Sequence, residues 1–202
     1  MKIVLASQSP RRKQILSQFD IELRCVSHLF DESSVSNKKD PAKYCESISK
    51  GKADSISDKY NEEIIIAADT IVVLDQKILE KPDNKEDAVE MLKALSGRTH
   101  QVITGVTCIH NQSRLNATFS DLTLVKFYEM DDEYIDYYIE KYKPFDKSGS
   151  YGIQDFSSIF VKSIDGCFFN VVGLPVSKIF LLLKQRGALK FSLNTDNTND
   201  NI

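Results

Sequence analysis

The sequence predicts an α/β protein whose mixed, twisted sheet is flanked by helices. Three observations carry this. Short apolar runs of strand type alternate with single helical segments, two long threonine-rich runs flank a two-residue turn, and no repeat or long linker divides the chain. Strand pairs mixed with single helices favour a mixed sheet over a uniformly parallel one.

The elements follow in order. "KIVLA" is a short apolar run of buried-strand type. Ser9-Pro10 then supplies an N-cap and a proline at the first helical position, opening a helix to about Phe19. "IELRCVS" alternates at period two as a second strand, and "HLFDESSVSNKK" is a polar loop. Asp40-Pro41 begins a half-solvated helix to about Tyr60 that carries Lys50 and Lys52. "EEIIIAADTIVVLDQKILEKPDN" reads as strand, interruption, strand, turn and short strand.

Asn84 caps a helix through Leu95 that Gly97 ends. "THQVITGVTCIH" and "SRLNATFSDLTLVKFYEM" flank "NQ" as a long antiparallel hairpin. "DDEYIDYYIEKY" is an acidic-capped helix with aromatics spaced for burial. "SIFVKSI" and "CFFNVVG" surround Asp165-Gly166, a strong two-residue hairpin signal. Pro175 starts a final helix, closed by Gly187. A waist between two lobes falls near Leu95 to Gln101 and again near Lys143 to Gly152.

With 202 residues the chain fits one domain over residues 1–187, large enough to bury a core without disulfides. Residues 188–202, rich in Asn, Asp and Thr, predict a polar, disordered tail. Hydrophobic residues at 42 % and charged residues at 27 % describe an ordinary soluble protein, and a net charge of -3 argues against one that coats nucleic acid. Any basic site must be local. Cys25, Cys45, Cys108 and Cys167 show no metal spacing and read as reduced thiols. No signal peptide or apolar stretch of about 18 residues is present, so no membrane partner and a cytoplasmic location are expected.

Several residues then ask for an explanation. Arg11, Arg12 and Lys13 crowd the first turn of a helix, where each cation is disfavoured by roughly 0.3 to 1 kcal/mol unless an anion is present. Ser7, Ser9, the amides of the helix start and the guanidinium groups of Arg11 and Arg12 form a candidate phosphate cradle; the alternative is a capped surface helix with solvated arginines. Asp69 sits inside "IIIAADTIVVL", where an unpaired carboxylate would cost several kcal/mol. Either it lies at a strand end or bulge, where backbone amides accept its charge, or it is a site carboxylate that binds a divalent ion or activates water, with the Thr70 hydroxyl alongside.

Lys52, Lys81 and Glu32 are each unremarkable alone, but two carboxylates, two arginines and two lysines together suit a metal-bound polyphosphate. Arg98 and His100 follow a helix C-terminus, where cations complement the dipole, so His100 is support rather than catalyst. "KSGSYGIQD" is a tight loop whose Tyr151 and Gln154 could contact a base, or a plain loop entering a hairpin.

In order along the chain stand "LASQSPRR", "DES", "KGKA", "AADTIVV", "EKP", "LSGRTHQVITGV" and "SGSYGIQ". This series resembles the Maf family of nucleoside triphosphate pyrophosphatases over roughly residues 2 to 187. The resemblance implies a Maf/ITPase-like fold with two lobes around a central cleft. It also implies a house-cleaning enzyme that splits a nucleoside triphosphate between its α and β phosphates with a divalent metal, Mg²⁺ or Mn²⁺, and a possible homodimer.

Carried over by position, the phosphate-binding loop falls on Ser9, Arg11 and Arg12, the acidic loop residue on Glu32, the two lysines on Lys52 and Lys81, and the proton acceptor on Asp69. Glu32 would help Asp69 to hold the metal. The branch resembling dTTP/UTP pyrophosphatases is marked here by Arg12, Thr70 and Gln154. A sibling branch favouring 7-methyl-GTP or related nucleotides is the weaker match, and a nucleotide-sensing regulator of septum formation is a reading of a different class. Two departures stand out. The family's "KAGAY" is "KSGSY" here, and Glu80 adds a carboxylate beside Lys81.

Overall fold

The structure is a computed structural model that describes residues 1–189; the predicted polar tail lies outside these from residue 190 onward. β1 (Lys2–Ala6) is buried at four of its five positions, and Ser9 and Pro10 open α1 (Pro10–Leu16) as N-cap and first helical residue. α1 ends three residues short of Phe19. There the Ser17 hydroxyl bonds back to the Lys13 carbonyl, and the chain turns to place β2 (Glu22–Val26) parallel to β1. α2 (Pro41–Asp54) is capped by Asp40 and also stops short of its predicted end at Tyr60. Ser55 and Ser57 bond to carbonyls three residues back, competing with the helix ladder, and a 3-10 turn follows over Ser57–Lys59.

β3 (Ile64–Leu74) is one continuous strand, which corrects the predicted interruption at Asp69. The tight turn at Asp75 and Gln76, both at positive φ, leads to β4 (Lys77–Leu79). α3 (Lys85–Leu95) is capped by Asn84 and left through Gly97 at φ 71°. β5 (Thr99–His110) and β6 (Leu115–Phe127) form the predicted hairpin over twelve paired positions. α4 (Asp132–Tyr142) follows.

β7 (Val161–Asp165) pairs antiparallel with β6, but "CFFNVV" does not return beside it as a hairpin partner. It forms the short α5 (Phe168–Val172) instead. The cause is local: the chain crosses over Thr123, whose hydroxyl accepts from the Cys167 amide at 3.0 Å. A Cβ at Gly166, φ 129°, would lie 2.8 Å from that hydroxyl oxygen. Asn170 then turns inward and donates to the Val102 carbonyl and to Thr123. A short apolar run bounded by glycines does not by itself distinguish a buried helix from a strand. α6 (Val176–Gln185) completes the described chain, with Gly187 at φ 66° beyond it.

The sheet order is β2-β1-β3-β5-β6-β7, with β4 on the free part of β3. β1 pairs parallel with β2 and β3, and all remaining pairs are antiparallel, so the predicted mixed sheet is observed. Alternation divides β3 between the two faces of the sheet. Ile64, Ile66, Ala68, Val72 and Leu74 join the larger cluster with α1, α3, α4 and α6, whereas Ile65, Ala67, Ile71 and Val73 face α2. Coverage on both faces explains the near-unbroken apolar run. The four cysteines are free thiols, as expected.

His100 is 2 % exposed and sits on β5, edge-on to Phe127 and Tyr151, with Nε2 2.7 Å from the Tyr151 hydroxyl. It is not the dipole-complementing cation the sequence suggests, because burial pushes its pKa from 6.5 down to about 4 and keeps the ring neutral. The unfolded chain takes up that proton first, so stability is lost as pH falls from 6.5 towards 4. Going from pH 7 to pH 5 is expected to cost about 2 kcal/mol through this ring. Thermal melts of His100→Gln should show an acid-side slope flattened by about that amount; an unchanged slope would contradict it.

Candidate active site

The site exists because two strands differ in length. The last β1 residue paired with β3 is Leu5, opposite Ile66, and β4 takes up the same edge only at Val72. Residues 67–71 of β3 therefore have no strand partner on that side among the described residues. The loop leaving the carboxyl end of β1 opens there into a cleft of about 470 Å³. Ligands bind at such carboxyl ends in open α/β sheets.

Asp69 and Thr70 stand at the middle of this free edge and point to opposite faces. Asp69 is on the α2 face, opposite Gly105 of β5 in regular register, so it is neither at a strand end nor on a bulge. Its charge is met by a side chain: Lys52 Nζ lies 2.9 Å from Asp69 Oδ1 and 3.1 Å from Glu32 Oε1. The lysine side chain is only 7 % exposed and that of Asp69 16 %, so the pair is screened little by solvent. α2 reaches this close because Gly105 has no side chain; a Cβ there would lie 2.3 Å from the Cys45 backbone.

Glu32 arrives on the polar loop, which forms a 3-10 turn capped by Asp31. The Phe30 ring is seated on Gly51 of α2, where a Cβ would meet it at 2.4 Å. His28 Nε2 is 3.4 Å from Glu32, and its pKa is lowered, first by burial and then by Lys52.

On the other face, Arg12 is held by three of its five N–H donors. Nε donates to the Gly173 carbonyl at 2.8 Å, Nη1 to Ser7 Oγ at 3.2 Å and Nη2 to Thr70 Oγ1 at 3.0 Å. Burial lowers the Arg12 pKa while Asp69 opposes that shift. Ser9 is spent as the N-cap of α1, which has only seven residues, and Ser7 holds the Ser9 amide as well as Arg12. The two serines thus fix the loop and the guanidinium.

The ten candidate site residues, Ser7, Ser9, Arg11, Arg12, Glu32, Lys52, Asp69, Thr70, Lys81 and Gln154, line this one cleft, whereas Lys13, Arg98 and His100 do not. Arg12 and Thr70, two of the three branch-marking residues, touch each other. Among the described residues no carboxylate pairs with Lys81, and the adjacent Glu80 is taken up by Lys38. Ser148, the hydroxyl in "KSGSY", accepts from the Val72 amide and donates to the Leu79 carbonyl, tying the 148–150 turn to β3 and β4.

Sequence reasoning missed His28, Asp146 and Lys147, which also line the cleft. Lys147 did carry a signal, as the first residue of "KSGSY", but His28 and Asp146 carried none, since such residues in a polar loop read as solvated surface groups. Five cations and three carboxylates line a cleft in a chain whose net charge is -3. Among the described residues no group of three or more His, Cys, Asp or Glu could hold a metal alone, and no helix is long and apolar enough to cross a membrane.

An α/β protein that gathers its cations on one free sheet edge, around a carboxylate pair, has the charge pattern of a site for a polyanion. The chain belongs to the Maf-like protein family, which it matches over residues 2–186. It is 44 % identical over 185 residues to a dTTP/UTP pyrophosphatase of Clostridium perfringens strain 13, covering 91 % of this chain and 96 % of that one. To a protein of the same description from Thermosipho africanus it is 45 % identical over 192 residues, covering 95 % and 97 %. Among solved structures it is similar to the Staphylococcus aureus Ham1 protein, with TM-score 0.45 and 16 % identity, covering 64 % of this chain and 73 % of that one.

Proposed function

We propose that this protein hydrolyses dTTP and UTP to the nucleoside monophosphate and pyrophosphate, with water attacking the α phosphorus and Asp69 as its proton acceptor. The observation that carries the reading is the Lys52 ammonium set between Asp69 and Glu32 in a cleft that also holds Arg12 and Lys81. A triphosphate brings about four negative charges, and in-line displacement at phosphorus is driven mainly by positioning and charge neutralisation. Arg12 is fixed by its three bonds before substrate arrives and keeps two N–H donors uncommitted for phosphate oxygens. Lys81 has no competing carboxylate among the described residues and supplies a further cation. Gln154 offers an amide to the base, whereas the Tyr151 ring, also at the cleft wall, is committed to the core against His100 and Phe127.

Glu32 and Asp69 fit a hard divalent cation such as Mg²⁺ or Mn²⁺, which takes one or two carboxylates and completes its shell with phosphate oxygens. The absence of a third acidic or histidine ligand among the described residues suits an ion brought in with the nucleotide. When bound, that ion supplies charge screening on the phosphates and acidifies water. Asp69 holds and deprotonates the attacking water, and Lys52 keeps the two carboxylates apart in charge and fixed in place.

The test is pyrophosphate release from a panel of dTTP, UTP, CTP and 7-methyl-GTP, with Mg²⁺ or Mn²⁺ and with a chelator. Release from dTTP and UTP that the chelator abolishes is expected. Release confined to 7-methyl-GTP, or none from any nucleotide, would sink the reading and leave the sibling specificity or a non-hydrolysing sensor.

A further inference from the structure

A carboxylate that looks out of place in a phosphate-binding cleft gives the further inference, which rests on the polyphosphate reading above. Asp146 lies at the cleft with one oxygen 2.7 Å from Lys147 Nζ and the other 2.9 Å from Arg11 Nη1. It makes no bond to Lys52, Asp69 or Glu32, so it stands apart from the carboxylate pair assigned to the water. Two oxygens of one anion, each taking a cation from a different segment, is the arrangement a phosphate group would also offer. We propose that Lys147 is a further polyphosphate-binding cation of this cleft, and that Asp146 occupies it and Arg11 until phosphate oxygens replace the carboxylate.

The exposures show which partner yields. The Lys147 side chain is 14 % exposed, unusual for a loop lysine, whereas that of Asp146 is 58 % exposed. Lysine stems keep this much cover only by packing along other atoms. Here the stem runs along Gly152, where a Cβ would lie 2.8 Å from Lys147 Cε. The cation is therefore fixed in the cleft while the carboxylate is free to swing into water. The Asp146 end of the pair is exposed, so water takes over its oxygens when it leaves, and a phosphate offers the same two cations paired oxygens with more negative charge. Burial raises the Asp146 pKa, but the bonds from Lys147 and Arg11 outweigh it and hold the carboxyl below its usual range.

Two variants and a hydrolysis-independent readout test this. Lys147→Met keeps the stem over Gly152 and removes the charge; Asp146→Asn keeps the shape and removes the competing anion. Binding of sodium tripolyphosphate, measured by calorimetry without metal, is expected to weaken about tenfold in Lys147→Met, as for one lost charged hydrogen bond. It should tighten about threefold in Asp146→Asn. KM for dTTP should move with these affinities, and thymidine binding should be unaffected in both. Wild-type tripolyphosphate affinity in Lys147→Met, or equal weakening in both variants, as a merely structural clasp would give, overturns the proposal. A wild-type protein that binds tripolyphosphate through Lys147 yet releases no pyrophosphate from dTTP or UTP would support this inference and sink only the hydrolase reading.

Discussion

Asp69→Asn is expected to lower turnover by about two decades or more, the scale of a lost general base, while leaving the fold in place. The amide keeps the side-chain volume and can still accept the Lys52 hydrogen bond, now 2.9 Å. What it loses is the ability to take a proton and one of the two negative charges beside Lys52. Glu32, 3.1 Å from the same ammonium, keeps the buried cation paired, so no isolated charge is stranded. The melting temperature should therefore stay within a few degrees of wild type. Activity within tenfold of wild type, in a protein that melts normally, would remove Asp69 from the role of proton acceptor.

Gly105→Ala is expected to have the largest effect on stability and to carry activity down with it. A methyl at this position would lie 2.3 to 2.5 Å from backbone atoms of Cys45 and Glu46, and backbone atoms do not rotate away. The whole of α2 must lift off β5. Overpacking of this kind costs about 3 kcal/mol, or about 10 °C in melting temperature for a chain of this size. The same helix delivers Lys52 to Asp69, the register partner of Gly105, so a lifted α2 also opens the ion pair. Wild-type melting and wild-type activity together would show that α2 does not depend on this close approach.

Much of the fold was legible because local chemistry specified it. Ser9-Pro10, Asp40-Pro41 and Asn84 are N-cap signals that act within one turn, and each opens a helix where expected. The threonine-rich runs around "NQ" carry a strand pattern long enough to override turn ambiguity, and they pair over twelve positions. Helix ends were less legible, because serines bonding back to carbonyls stop α1 and α2 earlier than the apolar pattern does. "CFFNVV" was misread because its conformation depends on Thr123 and Val102, more than forty residues away in sequence.

The candidate site divides the same way. The sequence by itself marked which side chains were anomalous: cations crowded at a helix start, a carboxylate inside an oily strand, and lysines and an acidic loop that make sense only together. Physical chemistry makes such residues conspicuous, since an isolated buried charge or a crowd of like charges is costly unless something compensates it. Only the tertiary structure decided what compensates them. Strand register turns Asp69 towards α2 and Thr70 towards Arg12, the close crossing at Gly105 brings Lys52 within bonding distance, and a stem packed on Gly152 fixes Lys147 in the cleft. Those distances are set by packing between segments far apart along the chain, and no spacing within one segment encodes them.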